Sequence, residues 1–249
     1  MNISTARIAT FAAFVVLFAG LSAFGQTVTV GYTGGYSTTW SNNSGDYGAG
    51  IYTGTINGVT SPSGIICDDF KDNVTSGETW KATAVQASSL ASGNVSGLLF
   101  GGSYTGAGYA NIGVTGYAEV ATLVSLMFGG GKTYGSITGI TQAELSSAIW
   151  DITAGGSLQG LDSTATKLVA AVETAFGGKT AAAKTYLAGL TNLWILTPTP
   201  AGKDGEAQEM WTQNLSVPEG GAALMYLLLA MLFCGGAFFM RNREQRISV

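Results

Sequence analysis

The stretch TVTVGYTGGYSTTW, residues 27–40, decides the fold class, because it alternates β-branched and aromatic residues with glycine and serine. Short runs of this kind, separated by Gly, Asn and Ser, are typical of β-strands and turns. Similar runs continue to about residue 90 as GIYTGTINGV, GIICDDF and TWKATAVQASSL, and the pair Asn57-Gly58 predicts a hairpin turn. We therefore expect the first part of the chain to form an antiparallel β-sheet.

The hydrophobic period becomes helical after residue 116. Apolar residues at helical spacing predict one helix over residues 117–128, ended by three glycines, and a second that begins with a capping box of Thr141 and Glu144. A third helix is predicted from Asp162 or Ser163, and a shorter fourth over residues 181–190. The glycine-rich residues 92–116 fit neither period and are compatible with a loop that holds a short helix.

Strand patterns return in NLWILTPTP and AQEMWTQNLS, so the order along the chain is β, then α, then β. Neither β half could bury its apolar faces well alone, so the terminal strands are predicted to join the first sheet. The fold class is α+β: an antiparallel, β-rich domain over residues 26–216 with a central insertion of three to four helices. Its five tryptophans are interpreted as core residues, and the alternative is an exposed carbohydrate-binding row.

Composition excludes several functions. Residues 26–216 contain seven lysines, no arginine and thirteen acidic residues, which gives a net charge of −6 and argues against nucleic acid as a partner. The whole chain has no histidine, so it lacks the commonest general base and zinc ligand. We predict no metal, no cofactor and no catalytic residues. Cys67 is alone in the domain, since the other cysteine, Cys234, lies in an apolar tail.

The N-terminus has the pattern of a secretory signal peptide over residues 1–25. Arg7 is followed by a mostly apolar run over residues 8–24 and by small residues around Gly25. We therefore expect an exported domain, with an uncleaved N-terminal anchor as the alternative.

The C-terminus, VPEGGAALMYLLLAMLFCGGAFFMRNR over residues 217–243, predicts a membrane-spanning helix. Residues 222–240 contain no charge, and as a helix they would extend about 28 Å, close to the hydrocarbon thickness of a bilayer. Arg241, Arg243 and Arg246 follow and should hold this end in the cytoplasm, which leaves the main domain outside.

The same tail resembles the PEP-CTERM class of bacterial sorting signals, in the form that carries Val217, Pro218, Glu219, Gly220 and Gly221 before the apolar segment and the arginines. The resemblance implies an exosortase-like protease that processes the chain near Pro218. The protein would first be anchored in the inner membrane and then reach the cell envelope, the surface or the extracellular matrix. The alternative is a plain C-terminal anchor.

A second resemblance concerns Cys67 in IICDDF and Gln142 in TQAELSSAIW, which are similar to the paired motifs of thioester-type surface adhesins. The resemblance implies a Cys67–Gln142 thioester. However, the family places its glutamine two residues before Ala-Ile-Trp, where this chain has Ser146. The alternative is that Cys67 is a buried structural thiol.

Acidic residues provide the remaining candidates. Asp68, Asp69 and Asp72 are predicted to form a solvated turn, with calcium binding as the alternative. A carboxylate-dependent glycan hydrolase could use Asp68, Asp69, Glu119 or Asp151, although their spacing selects no pair. We predict a non-enzymatic surface or matrix protein that binds surface glycans or matrix polymers; the thioester adhesin and the glycan hydrolase are the alternatives.

Overall fold

The computed structural model describes residues 25–42, 44–200 and 207–215. Apart from Gly25, the predicted signal peptide lies outside these residues, as do the sorting motif at residues 217–221, the predicted span at 222–240 and the three arginines that follow. Within the described part of the chain, no helix has the length and hydropathy needed to cross a membrane.

The described residues contain nine strands, most of them in one antiparallel sheet. They are β1 (Gln26–Asn42), β2 (Gly45–Ile56), β3 (Val59–Thr60), β4 (Ile66–Cys67), β5 (Thr79–Gln86), β6 (Thr133–Tyr134), β7 (Ile137–Thr138), β8 (Leu193–Pro198) and β9 (Met210–Gln213). The sheet has the order β3-β2-β1-β5-β8-β9-β4, whereas β6 and β7 form a separate hairpin. The late strands β8 and β9 pair with β5 and β4, which confirms that the terminal strands join the first sheet.

The large sheet closes on itself. Tyr52 of β2 and Ile65, which leads into β4, form an antiparallel bridge with N···O distances of 2.8 and 3.0 Å. This bridge connects β2 to the opposite end of the strand order and leaves β3 as a short extension. The predicted Asn57-Gly58 turn joins β2 to β3, and both residues have positive φ angles of 53° and 78°, as a two-residue hairpin turn requires.

The described residues include four α-helices, in agreement with the predicted insertion, and the first two of them contact strands of the large sheet. They are α1 (Gly113–Phe128), α2 (Gln142–Thr153), α3 (Ser163–Phe176) and α4 (Thr180–Ala188). Helix α1 contacts the other three and is buried on most of its surface. The predicted capping box begins α2, and the Asp162 carboxylate caps α3. Strand β5 ends at Gln86 and a 3₁₀-helix follows at Ala87–Ser92, so the prediction of a strand pattern to about residue 90 is wrong there. The segment that sequence patterns did not assign contains a second 3₁₀-helix, Thr105–Ala107.

Two hydrophobic cores lie on opposite faces of the sheet because successive strand residues point to opposite sides. The core enclosed by the sheet contains Val28, Val30, Tyr52, Cys67 and Met210, among others. The second core lies between the sheet and the helices. It contains Trp40, Trp150 and Trp211, which are 5%, 2% and 0% exposed and confirm the prediction of core tryptophans for these three.

Candidate functional site

Acidic side chains from two distant parts of the chain meet where β4 ends. Strand β4 pairs with β9, so that Cys67 lies opposite Met210. The residues just outside this pairing, Asp68 after β4 and Glu209 before β9, are therefore neighbours, and Asp68 N donates to Glu209 O at 3.3 Å. Both side chains are fully buried.

Asp68 and Glu209 form a hydrogen-bonded carboxyl pair. Trp211 Nε1 donates to Asp68 Oδ2 at 2.5 Å. Glu209 accepts hydrogen bonds from Leu99 N and the Tyr117 hydroxyl, both at 2.9 Å, and from the hydroxyl of Thr197. Burial raises the pKa of both carboxyl groups, and the Glu209 charge raises the pKa of Asp68 further. Because two ionised carboxylates repel each other, such a pair retains a proton.

A second carboxyl pair, Asp69 and Asp72, follows directly in the chain. Lys71 N and Asp72 N donate to Asp69 Oδ1 at 2.9 and 3.4 Å, and the Tyr109 hydroxyl donates to Asp72 Oδ2. Burial and the neighbouring Asp72 raise the pKa of Asp69 to about 8. Oδ2 of Asp69 is buried and receives no hydrogen bond from an N–H or hydroxyl group.

The prediction of a solvated acidic turn is therefore wrong. Asp68, Asp69 and Asp72 are 0%, 1% and 3% exposed. Their burial is offset by donors from remote residues, including the Gln208 amide, which donates to the carbonyl oxygens of Asp69 and Asp72. Among the described residues, no group of three or more acidic or cysteine side chains has an arrangement suited to a metal ion.

Beside the second pair lies a cleft of about 190 Å³, which we call the tyrosine cleft. One wall consists of Tyr32, Tyr36 and Tyr52, with the Tyr52 ring centroid 5.7 and 6.4 Å from those of Tyr32 and Tyr36. Tyr47, Phe70 and Trp150 also line the cleft, and their rings follow one another at centroid distances of 4.7 and 5.3 Å. Asp46, Asp69 and Asp72 also line the cleft. The site therefore combines aromatic faces with carboxyl groups.

A bulge in β1 places Tyr36 in this cleft. The register between β1 and β2 shifts on both sides of Tyr36, and Gly34 and Gly35 precede it with φ angles of 91° and 88°. Glycine adopts such angles without the strain that a side chain brings, and bulges of this kind redirect neighbouring side chains. The Tyr36 ring lies against Gly48, where an added Cβ would be 2.7 Å from Tyr36 Cδ1. As a result Tyr36 remains 49% exposed at the mouth of the cleft.

A second cavity, of about 470 Å³, shares Asp69 and Phe70 with the tyrosine cleft. It is lined by Phe100, Tyr109 and Thr153, among others, and by Lys71. The Lys71 ammonium donates to the carbonyl oxygen of Ala107 and lies 4.4 Å from the centroid of the Tyr109 ring.

The structure gives the two thioester candidates different partners. Cys67 is 1% exposed, its thiol donates to Asp69 O at 2.9 Å, and burial raises the thiol pKa well above its ordinary value. The side-chain oxygen of Gln142 accepts a hydrogen bond from the Ser37 hydroxyl. Trp150 Nε1 donates to Cys67 O at 3.2 Å, and Gln142 lies eight residues before Trp150, about 12 Å along the axis of α2.

Ser146, at the position where the adhesin family has its glutamine, accepts a hydrogen bond from Gly50 N at 2.8 Å. Of the remaining hydrolase candidates, Asp151 accepts a hydrogen bond from Leu158 N at 3.1 Å. Glu119 lies half-buried on α1, where burial and the nearby Glu173 raise its pKa to about 7. Only Asp69 of the four carboxylates named from the sequence lines the tyrosine cleft.

Sequence reasoning missed Tyr36, Tyr47 and Asp46 as parts of a site. The signal was present in GYTGGY, residues 31–36, because a glycine pair between two tyrosines in a strand pattern indicates a bulge. Comparison of the chain with protein-family models, with curated proteins and with solved structures found no match.

Proposed function

We propose that this protein is an exported bacterial surface or extracellular-matrix protein with a binding role, and that the tyrosine cleft binds glycan. The observation that carries the proposal is that the exposed Tyr36 ring lies in one cleft with further aromatic rings and carboxyl groups. Tyrosine rings offer flat apolar faces on which the C–H face of a sugar can pack, and carboxyl groups form hydrogen bonds with sugar hydroxyl groups. The excess of acidic residues in the domain suits a neutral or cationic polymer rather than an acidic one.

The size of the cleft limits the ligand. Its volume of about 190 Å³ is smaller than the ~300–1,000 Å³ that enclose a drug-sized molecule. A single sugar unit of a chain is therefore expected to enter it, with the neighbouring units lying across the surface near Tyr36. Multivalent attachment to a polymer would compensate for a weak single site.

Binding is tested by isothermal titration of the purified protein with oligosaccharides of neutral, acidic and cationic sugars. Tyr36→Ala should reduce the affinity for the bound sugar about tenfold or more, which corresponds to ~1.4 kcal/mol of lost packing and stacking. Tyr134→Ala is the matched control, because Tyr134 lies in the separate β6–β7 hairpin. Equal affinities for wild type and Tyr36→Ala would exclude the cleft as the glycan site.

The same samples test the hydrolase alternative, which the position of Asp69 and Asp72 in the cleft favours over the other carboxylates. Glycosidases hold two carboxyl groups about 5–9.5 Å apart, whereas Asp69 and Asp72 are close enough to hydrogen-bond. We therefore expect no new reducing ends after prolonged incubation. Reducing ends that form with wild type and not with Asp72→Asn would identify a hydrolase.

The proposal includes sorting through the C-terminal tail, on the basis of its sequence alone. The mature protein should end near Glu219 and lack Arg241, Arg243 and Arg246, and Pro218→Ala or Glu219→Ala should block this shortening. C-terminal peptide mapping of protein from the native host measures the end directly. If the mature wild-type chain keeps its three arginines, the sorting proposal is wrong and the tail is a plain membrane anchor.

A further inference from the structure

The second half of β1 extends past its neighbour in the sheet. Strand β5 pairs with β1 over residues 26–31, and the last backbone hydrogen bonds between these two segments are made by Tyr32. Beyond the bulge at residues 34 and 35, β1 continues to Asn42 and pairs with β2. Within the described part of the chain, no strand pairs with the other side of residues 36–42. We call this side of residues 36–42 the free edge.

The pairing register shows which backbone groups lie on the free edge. Asn42 and Gly45 pair with two positions between them in the chain, and such a closing pair exchanges hydrogen bonds. Hydrogen-bonded pairs alternate along an antiparallel ladder, so Trp40 also bonds to β2, whereas Thr39 and Ser41 direct their N–H and C=O groups away from it. Both residues are exposed, and no hydrogen bond joins these groups to the rest of the described chain.

The free edge lacks side chains that would keep it from pairing with another chain. Proteins protect exposed sheet edges with charged residues, especially Lys, with Pro, or by making the edge strand very short. The sequence TGGYSTTWSN, residues 33–42, contains no charged residue and no proline. At the ends of the strand order, by contrast, β3 is only two residues long and the segment leading into β4 is bridged to β2. The free edge is therefore a place where a further strand can be added.

The chemistry of the free edge fits a second copy of itself. An antiparallel pair centred on Thr39 places this residue opposite the partner's Thr39, and Ser41 opposite the partner's Ser37. Cross-strand pairs of Thr and Ser stabilise antiparallel ladders, whereas like charges placed opposite each other destabilise them. Although the domain has an excess of acidic residues, two copies can meet along this uncharged stretch without placing carboxylates opposite each other.

We propose that this protein forms a symmetric dimer in which the free edges of two copies pair antiparallel around Thr39. The two sheets become continuous across a two-fold axis, and each copy supplies the donors and acceptors that the other lacks. Tyr36 precedes Thr39 by three positions, so the two tyrosine clefts would be about 20 Å apart along the paired strands, at ~3.4 Å per residue. The dimer forms without glycan, and it presents two clefts to one polymer.

Sedimentation equilibrium of the full chain tests the dimer, in a mild detergent because residues 222–240 are predicted to span a membrane. Wild type should show a reversible monomer–dimer equilibrium with a dissociation constant on the order of 10 µM, as expected of a small interface. Thr39→Lys should raise this constant about tenfold or more, because it places two cations opposite each other. Thr60→Lys is the matched control, since Thr60 is an exposed threonine on the short strand β3.

Disulfide cross-linking tests the register of the pairing. Residues of a hydrogen-bonded antiparallel pair have Cα atoms about 5.5 Å apart, a separation that a disulfide can span. In a Cys234→Ser background, Thr39→Cys should give a disulfide-linked dimer when copper phenanthroline and oxygen oxidise the two thiols. Thr60→Cys is the matched control and should remain monomeric. Cys67, the other cysteine in both variants, is 1% exposed and should not take part.

The dimer is contradicted if wild type remains monomeric at about 100 µM. It is also contradicted if Thr39→Lys weakens association no more than Thr60→Lys does, or if Thr60→Cys cross-links as fast as Thr39→Cys. In the native host, a photo-crosslinking amino acid at position 39 should give an adduct of twice the chain mass. An adduct with a different protein would show that the free edge binds another partner, and the assignment to a second copy would be wrong.

Discussion

The indole nitrogen of Trp150 donates a hydrogen bond to the carbonyl oxygen of Cys67 at 3.2 Å. This contact joins the two sequence motifs that resemble an adhesin thioester, but it does so through the tryptophan and not through a glutamine. Gln142 contacts Ser37 instead, and Ser146 contacts Gly50. The Trp150 side chain of the Ala-Ile-Trp motif therefore lies against the backbone of Cys67. The side chains at the two positions where a thioester glutamine was considered contact other residues.

We predict that Cys67 is a free thiol that reacts slowly. In a Cys234→Ser background, the intact mass should equal that of the unmodified chain, and a thiol reagent should titrate Cys67 only after unfolding. The physical reason is that burial raises the thiol pKa and keeps the thiolate, the reactive form, scarce. Cys67→Ser in the same background has no cysteine thiol and is the negative control for the reagent. A mass lower by one ammonia, restored by a small amine nucleophile, would establish the thioester and contradict this prediction.

The second prediction concerns the pH dependence of stability. The pKa of Asp69 is about 8 in the folded protein against an ordinary value of 3.8, so the folded state binds more protons than the unfolded state between these values. Its contribution to stability is complete below about pH 4 and is lost as the pH rises towards 8, by up to about 1.4 kcal/mol per pH unit. Urea unfolding should therefore give a lower free energy of unfolding at pH 9 than at pH 5.

Asp69→Asn should make this decline shallower, because a neutral amide can donate to Asp72 without taking up a proton. Some decline should remain, since burial also raises the pKa of Asp68 and Glu209. Asp46→Asn changes an exposed carboxylate and provides the comparison. A variant at position 69 that retains the full wild-type slope would show that Asp69 is ionised in the folded protein, contrary to this account.

The third prediction concerns the support of Tyr36 by Gly48. In Gly48→Ala the new methyl group would lie 2.7 Å from Tyr36 Cδ1, so the ring must move out of its position at the cleft. We expect the glycan affinity to fall about tenfold (~1.4 kcal/mol), and the free energy of unfolding to change by about 1 kcal/mol or less. Gly97→Ala is the matched control, since no atom lies within 4 Å of its added Cβ. Unchanged affinity in Gly48→Ala would show that the position of Tyr36 does not matter for binding.

The fold was predictable from local signals to a large extent. The capping box of α2, the Asp162 cap of α3 and the Asn57-Gly58 turn each depend on residues adjacent in the chain, and all three appear where their patterns place them. Closure of the sheet was not predictable in this way. It depends on the single bridge between Tyr52 and Ile65, and no local pattern marks that bridge.

The candidate site was much less predictable. Three acidic residues within residues 68–72 resemble a solvated turn, because the groups that permit their burial come from remote parts of the chain. Trp211 lies 143 residues from Asp68, and Tyr109 lies 37 residues from Asp72. The tyrosines of the cleft lie on strands whose pairing sets their positions. The bulge at Gly34 and Gly35 additionally changes the direction of the Tyr36 side chain.

The central claim is that glycan binds in the tyrosine cleft, and backbone amide chemical-shift mapping tests it most directly. Isotope-labelled protein would be titrated with whichever oligosaccharide binds most tightly in the isothermal titrations. We predict that the largest shifts occur at Tyr36, Tyr47, Gly48 and Asn73, which border the cleft, with smaller shifts at the β6–β7 hairpin. Shifts concentrated away from the cleft, or no shifts at saturating sugar, would contradict the claim.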